Sequence, residues 1–204
     1  MSAPSSRPAA ASAKPTLREL NGLRVLVLHP RDAEAQLLVS HLRRIGCTPE
    51  QQWPIPERIT TDTDVVLLTI EEGQREAVQT LAQSFSELSP PVIGIVEYEN
   101  PATLQLVFES GCAGVIERPI RPFGLLTQLL LARTAWKQHA ATLAQIRKLQ
   151  GRYAAISKVT MAKTLLIARE GMTENEAHRT IQARAMASRA SLEDTAQAII
   201  NELS

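Results

Sequence analysis

Between residues 147 and 190 the chain carries Arg147, Lys148, Arg152, Lys158, Lys163, Arg169, Arg179, Arg184 and Arg189 against only Glu170, Glu174 and Glu176, a local net charge of +6. Cations at that density suit the binding of a polyanion, because each Lys or Arg placed on a phosphate releases a condensed counterion. The residues before this block sum to −2 and those after it to −3, so the positive charge is local in a chain of 204 residues whose net charge is +1. The competing use of such a block is an ordinary solvated helix face, its cations paired with Glu174 and Glu176.

Catalytic and metal chemistry are poorly supplied. His29, His41, His139 and His178 are dispersed, and Cys47 and Cys112 lie far apart. No motif assembles a nucleophile, a base and an oxyanion donor, or a metal-ligand spacing. The sequence therefore predicts a chain that is not an enzyme and holds no cofactor, with both cysteines reduced in the core. No stretch approaches the roughly 18 uninterrupted apolar residues of a membrane span. The start, MSAPSSRPAAASAKP, lacks an apolar segment of signal-peptide length. A cytoplasmic protein is expected, with residues 1–16 as a disordered Ala-, Ser- and Pro-rich tail.

The elements that must position these residues fall into three zones. From Leu23 to Pro122, short continuous apolar runs alternate with amphipathic stretches, as strands covered on both faces alternate with helices. RVLVL (24–28) precedes a helical pattern over Ala33 to Ile45, closed by Gly46, and CTPEQQW (47–53) holds a weaker strand. DVVLL (64–68) precedes a helix around Glu76 to Phe85. PVIGIV (91–96) precedes Ala102 to Ser110, closed by Gly111, and GVIE (114–117) leads into Pro119. Five strands alternating with helices imply an open parallel sheet wound right-handedly, an α/β domain over residues 17–122.

Residues 123–155 form the second zone. Leu125, Leu129, Ala132, Trp136, His139, Leu143 and Ile146 recur at steps of four and three, and Leu149, Tyr153 and Ile156 continue the series past Gly151. This heptad-like seam predicts a coiled-coil helix that pairs with a second copy in a parallel homodimer through Leu129, Trp136, Leu143, Ile146 and Tyr153. The alternative is two shorter helices broken at Gly151 and packed within one chain.

The third zone, 156–204, reads as a small all-α three-helix bundle. MAKTLLIAREG ends a helix on Gly171. Thr173 with Glu176, and Ser191 with Asp194, stand at capping-box spacing ahead of the second and third helices. Ala162, Leu165, Leu166, Ala177, Ile181, Ala185, Met186, Leu192, Ala196 and Ile200 supply the facing apolar surfaces.

Residues 23–122 resemble the receiver domain of two-component response regulators, a flavodoxin-like α/β fold. That resemblance implies an acidic pair after the first strand, a phospho-acceptor aspartate ending the third, a hydroxyl residue at the fourth and a lysine before a proline after the fifth. The matching positions here are His29 and Pro30, Thr69, Val96 and Arg118 before Pro119. A hard cation such as Mg²⁺ needs the missing carboxylates. The domain is therefore expected to be a degenerate, non-phosphorylated receiver, with Asp32, Glu71 and Glu72 the nearest acids in sequence.

The pattern AK..LL...EGMTE.EA...I...AM....SLEDTA..II over residues 156–200 resembles the ANTAR domain of transcription antiterminators. The family's usual glycine after the Ala-Lys pair is Thr164 here, and an often aromatic position is His178. RIGC (44–47), WPIPE (53–57) and VEYENPA (96–102) extend the resemblance to the aliphatic-amidase regulators of that family. The resemblance implies binding of leader-mRNA hairpins, with antitermination controlled by an amide-sensing negative regulator of periplasmic-binding-protein fold. Lys163 is the RNA contact that the family's Ala-Lys pair implies. Arg169, Arg179, Arg184 and Arg189 are candidates by charge, and His178 by its ability to stack on a base. A DNA-binding regulator and a dimeric adaptor without nucleic acid are the alternatives. Against the first, no helix-turn-helix pattern with its short turn is evident in the second and third helices.

Overall fold

The computed structural model describes residues 17–59, 62–97 and 101–203, so the tail expected over residues 1–16 lies outside the described residues. The chain divides into two compact units, residues 1–140 and 141–204.

In the first unit, β1 (Arg24–Leu28), β2 (Thr48–Gln52), β3 (Val65–Thr69), β4 (Val92–Val96) and β5 (Gly114–Glu117) form one parallel sheet in the order β2-β1-β3-β4-β5. Helices α1 (Ala33–Arg44), α2 (Arg75–Gln83) and α3 (Pro101–Glu109) connect the strands, and α4 (Pro122–Glu170) follows β5. Side chains alternate across the strands with a period of two. Val25, Val27, Val65, Leu67, Ile93 and Ile95 face Leu38 and Leu42 of α1 and Leu125, Leu129 and Ala132 of α4. Leu26, Leu28, Val66, Leu68 and Val92 face Val78 and Leu81 of α2 and Leu106 of α3. This is the doubly wound receiver-like sheet that the alternation predicts, with element ends displaced by a residue or two.

Two displacements have clear causes. Asp64 stands outside β3 because its carboxylate accepts from the Arg24 backbone N–H at 3.0 Å and from Arg133 Nη2 at 3.2 Å. Burial pushes that carboxyl up, but the Arg24 hydrogen bonds and the Arg133 charge outweigh it and hold Asp64 below the usual carboxylate range. Helix α1 ends before Ile45 because Gly46 takes φ +91°, a backbone conformation that glycine adopts without a Cβ penalty.

The coiled-coil seam needs correction at its start. Leu129 is fully buried in the sheet domain's own core, as are Leu125 and Ala132. Trp136 donates its indole N–H to the Ser89 carbonyl at 2.7 Å, and Arg133 lies over its ring at 4.8 Å. Leu129 and Trp136 are thus engaged within the chain, and the exposed part of the series begins at His139, ahead of the half-buried Leu143. Helix α4 runs without interruption through Gly151, which sets aside the broken-helix alternative.

In the second unit the last turns of α4 pack with α5 (Glu174–Ser188) and α6 (Leu192–Leu203) around Ala162, Leu166, Ala177, Ile181, Ala196 and Ile199. Two residues expected in this core are exposed, Met186 at 80% and Leu192 at 42%, and Leu165 is only half-buried. On α5 the positions Ala177, Ile181 and Ala185, four residues apart, already fill the inward stripe and turn Met186 away. No helix among the described residues is long and apolar enough to cross a membrane.

Candidate nucleic-acid interface

Helix α5 is held at both ends by local hydrogen bonds. Thr173 Oγ1 accepts from the Glu176 N–H at 3.4 Å, and Glu176 Oε2 accepts from the Thr173 N–H at 2.8 Å, completing the predicted capping box. The Thr173 N–H, together with its hydroxyl, which donates to Glu176 Oε2 at 2.7 Å, holds the Glu176 carboxyl below the usual range. Ser191 caps α6 by accepting from the Asp194 N–H at 3.0 Å.

The candidate cations divide into paired and unpaired. Lys163 Nζ donates to Glu174 Oε1 at 2.8 Å, and this hydrogen bond holds Glu174 below the usual carboxylate range. Arg184 Nη1 donates to Glu202 Oε2 at 2.8 Å, and Lys158 Nζ to Glu193 Oε1 at 2.8 Å. Arg169, Arg179 and Arg189 are exposed, and among the described residues no hydrogen bond or ion pair holds their side chains. His178 is exposed beside Glu174. The structure thus brings Lys163 and Glu174 together and sets the Arg179 charge near Glu176, as the solvated-face alternative expects, while leaving Arg169 and Arg189 available to a phosphate.

The turn between α5 and α6 is residues 189–191, as short as that of a helix-turn-helix, so turn length does not separate the two folds. Charge does. Helix α6, which would be the recognition helix, carries Glu193, Asp194 and Glu202 and no Lys or Arg. A helix of that sign is repelled by the phosphates that line a DNA groove.

In the first unit, the residues aligned with the receiver's phosphorylation site gather at the carboxyl ends of the strands. Register places Thr69 beside Ile95 and Val96 beside Glu117, while His29 follows β1 and Arg118 follows β5. Arg118 is the hub. Its Nη2 donates to His29 Nε2 at 2.9 Å, and since arginine cannot accept, the fully buried imidazole carries its proton on Nδ1 and donates to the Pro30 carbonyl at 2.9 Å. Around the same guanidinium stand Glu34 at 3.1 Å, Glu71 at 3.4 Å and Glu97 at 3.5 Å. Thr69 is fully buried, and its hydroxyl has no hydrogen-bond partner among the described residues. Asp32 is committed elsewhere, accepting from the Ala35 N–H at 2.8 Å as the N-cap of α1. A site that would hold a divalent cation between carboxylates instead holds a fixed side-chain cation. Sequence reading missed Glu34 and Glu97, because only the winding of the sheet brings them to Arg118.

The cysteines differ from expectation in one respect. Cys47 is buried, and burial pushes its thiol up to about 11. Cys112 is only partly buried, 3.1 Å from Ser110 Oγ.

Comparison with known proteins agrees with this geometry. Residues 23–133 match the family described as AmiR, N-terminal, and residues 147–200 match the ANTAR domain. The chain is 33% identical to the aliphatic amidase regulator of Pseudomonas aeruginosa over 93% of its own length and 96% of that protein. It is 21% identical to the transcriptional regulatory protein PdtaR of Mycobacterium tuberculosis over 69% of this chain and 68% of that one. Among solved structures, NtrX from Brucella abortus in complex with ADP shares the fold, with a TM-score of 0.51 at 18% identity, covering 64% of this chain and 30% of that one. With a receiver-like domain that has exchanged its carboxylates for an arginine hub, a long helix and an ANTAR bundle in one order, the chain belongs to the family of ANTAR-domain transcription antiterminators that includes the aliphatic amidase regulator.

Proposed function

We propose that this chain binds hairpins in a leader mRNA through its C-terminal bundle and thereby favours an antiterminator hairpin over the terminator. The observation that carries the reading is an ANTAR bundle whose Arg169, Arg179 and Arg189 are exposed and held by no hydrogen bond among the described residues, beside an acidic α6 unsuited to a DNA groove. Residues 17–122 serve as a receiver-like regulatory domain, 123–155 as the dimerisation helix and 156–204 as the RNA-binding domain. The dimer forms through Leu143, Ile146 and Tyr153. Ile146 and Tyr153 are 44% and 76% exposed in the single chain, and a partner helix would cover them.

Control comes through a protein partner and not through phosphoryl transfer, because Thr69 is no phospho-acceptor and the carboxylates that gather there, Glu34, Glu71 and Glu97, face the Arg118 guanidinium in the place of a metal ion. The likeness to the aliphatic amidase regulator supports an amide-sensing negative regulator of periplasmic-binding-protein fold as that partner. The protein acts in the cytoplasm, where the leader transcript is made, and works by binding, without an enzymatic step.

Filter binding of the full chain to a leader-RNA hairpin and to duplex DNA of equal length, with a readthrough reporter in parallel, tests the proposal. Tighter RNA binding and readthrough that depends on the chain are expected. Equal or stronger binding to DNA, or readthrough unchanged on deletion of residues 156–204, would overturn it.

A further inference from the structure

We infer that the outward face of α5 reads an unpaired RNA base, with Gln182 and Met186 meeting the base and Arg189 holding the adjoining phosphate. The inference deepens the RNA-binding reading above and rests on it. At about 3.6 residues per turn, Asn175, Arg179, Gln182 and Met186 fall on one stripe opposite the buried Ala177, Ile181 and Ala185, and all four are exposed. Met186 is 80% exposed. Ala183, one turn before it, is exposed and small, so a flat ring can lie along the thioether without meeting a bulky side chain there. The unbranched, polarisable methionine packs well against ring faces. Gln182, one turn earlier on the same stripe, presents an amide donor and acceptor to a base edge.

Arg189 supplies a second, independent observation. It closes α5 in the left-handed region, φ 53° and ψ 31°, and is the sole non-glycine residue at positive φ among the described residues. Its N–H donates to the Met186 carbonyl at 3.3 Å, and the Ala190 N–H donates to the Ala185 carbonyl at 3.0 Å, the bond pattern of a helix end that glycine usually occupies. The chain uses glycine at the other positive-φ positions, Gly22, Gly46, Gly111 and Gly171. An L-residue is disfavoured in that region, so the arginine sacrifices local stability for an exposed cation beside Met186. The groove on the other side of α5 offers no rival surface, since Asp194 and Glu202 line it together with Arg184, which Glu202 already engages.

The test uses the full chain and a library of RNA hairpins with one fixed stem and a randomised loop, followed by a salt series on an enriched hairpin. Wild type is expected to enrich particular loops. Met186→Ala and Gln182→Ala should each lose roughly ten-fold in affinity for those loops, the size of one lost base contact, with an unchanged salt slope. Arg189→Gly should melt at a higher temperature than wild type yet bind more weakly, its salt slope lower by about 0.7 of a logarithmic unit. Wild-type loop selection in both Met186→Ala and Gln182→Ala would overturn the base-reading face. Wild-type affinity and slope in a stabilised Arg189→Gly would overturn the phosphate anchor. A wild-type chain that binds every hairpin and duplex DNA alike would instead overturn the RNA reading on which both depend.

Discussion

The Thr69 hydroxyl occupies the place where a receiver keeps its nucleophilic carboxylate, and the substitution is coupled to others around it. A threonine there neither forms an acyl phosphate nor contributes an anionic ligand. Arg118, with only 15% of its side chain exposed, brings a permanent positive charge among Glu34, Glu71 and Glu97. Two predictions belong to these residues. Treatment with acetyl phosphate and Mg²⁺ should leave the intact mass unchanged, and a stoichiometric phosphoryl adduct on the receiver-like domain would contradict the reading. Arg118→Ala should cost about 2 kcal/mol, because it removes the counter-charge from three carboxylates and leaves His29 Nε2 buried without its donor. Urea unfolding measures this, and a change of less than about 0.5 kcal/mol, the ordinary surface effect, would show that the hub is not structural. The loss of the carboxylates was legible in His29, Pro30 and Thr69. The identity of the replacement was not, since Glu34, Glu71 and Glu97 are far apart in sequence and meet Arg118 only through strand register.

At the level of elements, periodicity revealed where the helices lie but not what covers them. Leu129 and Ile146 stand on the same heptad-like series, yet Leu129 is buried by its own sheet while Ile146 is 44% exposed. The same ambiguity misplaced Met186, which follows the buried Ala185 by one residue and so points away from the core. Capping is the more legible signal, because its hydrogen bonds are local: the Thr173–Glu176 box formed as its spacing predicts. The part of α4 that remains open predicts that Leu143→Asp, by placing an unpaired carboxylate in an apolar seam, converts dimer to monomer in sedimentation. A dimer of unchanged stability in that variant would mean that α4 is not the interface. The caps predict that Thr173→Ala costs about 1 kcal/mol. Because the folded carboxyl of Glu176 lies below its unfolded value, its contribution is fully present above the ordinary glutamate range and is lost as pH falls through the lowered folded value. Thr173→Ala should therefore show a shallower loss of stability on acidification than wild type. Parallel acid titrations of the two would refute the assignment.

For the molecule as a whole, a receiver-like domain without phosphoryl chemistry can regulate only by binding, and a partner alters activity only through differential affinity for the active and inactive states. In the proposed arrangement the inactive state is a complex with an amide sensor, and amide favours the sensor conformation that binds this chain less well. Linkage then makes the effect reciprocal. If amide weakens the complex by some factor, this chain must weaken the sensor's hold on amide by the same factor, and a coupling of about 1–3 kcal/mol corresponds to roughly 5- to 150-fold. The proposed dimer would sharpen the output, because its two bundles would engage two hairpins, the second at a raised effective concentration, without any new contact. The expectation is therefore quantitative on both sides. Calorimetric titration of amide into the sensor, with and without this chain, should give a ratio of affinities equal to the ratio of chain–sensor affinities measured with and without amide. Leader-RNA binding should be restored when amide dissolves the complex. A sensor that binds amide equally well in both titrations would rule out ligand-controlled release, whatever the RNA-binding assays show.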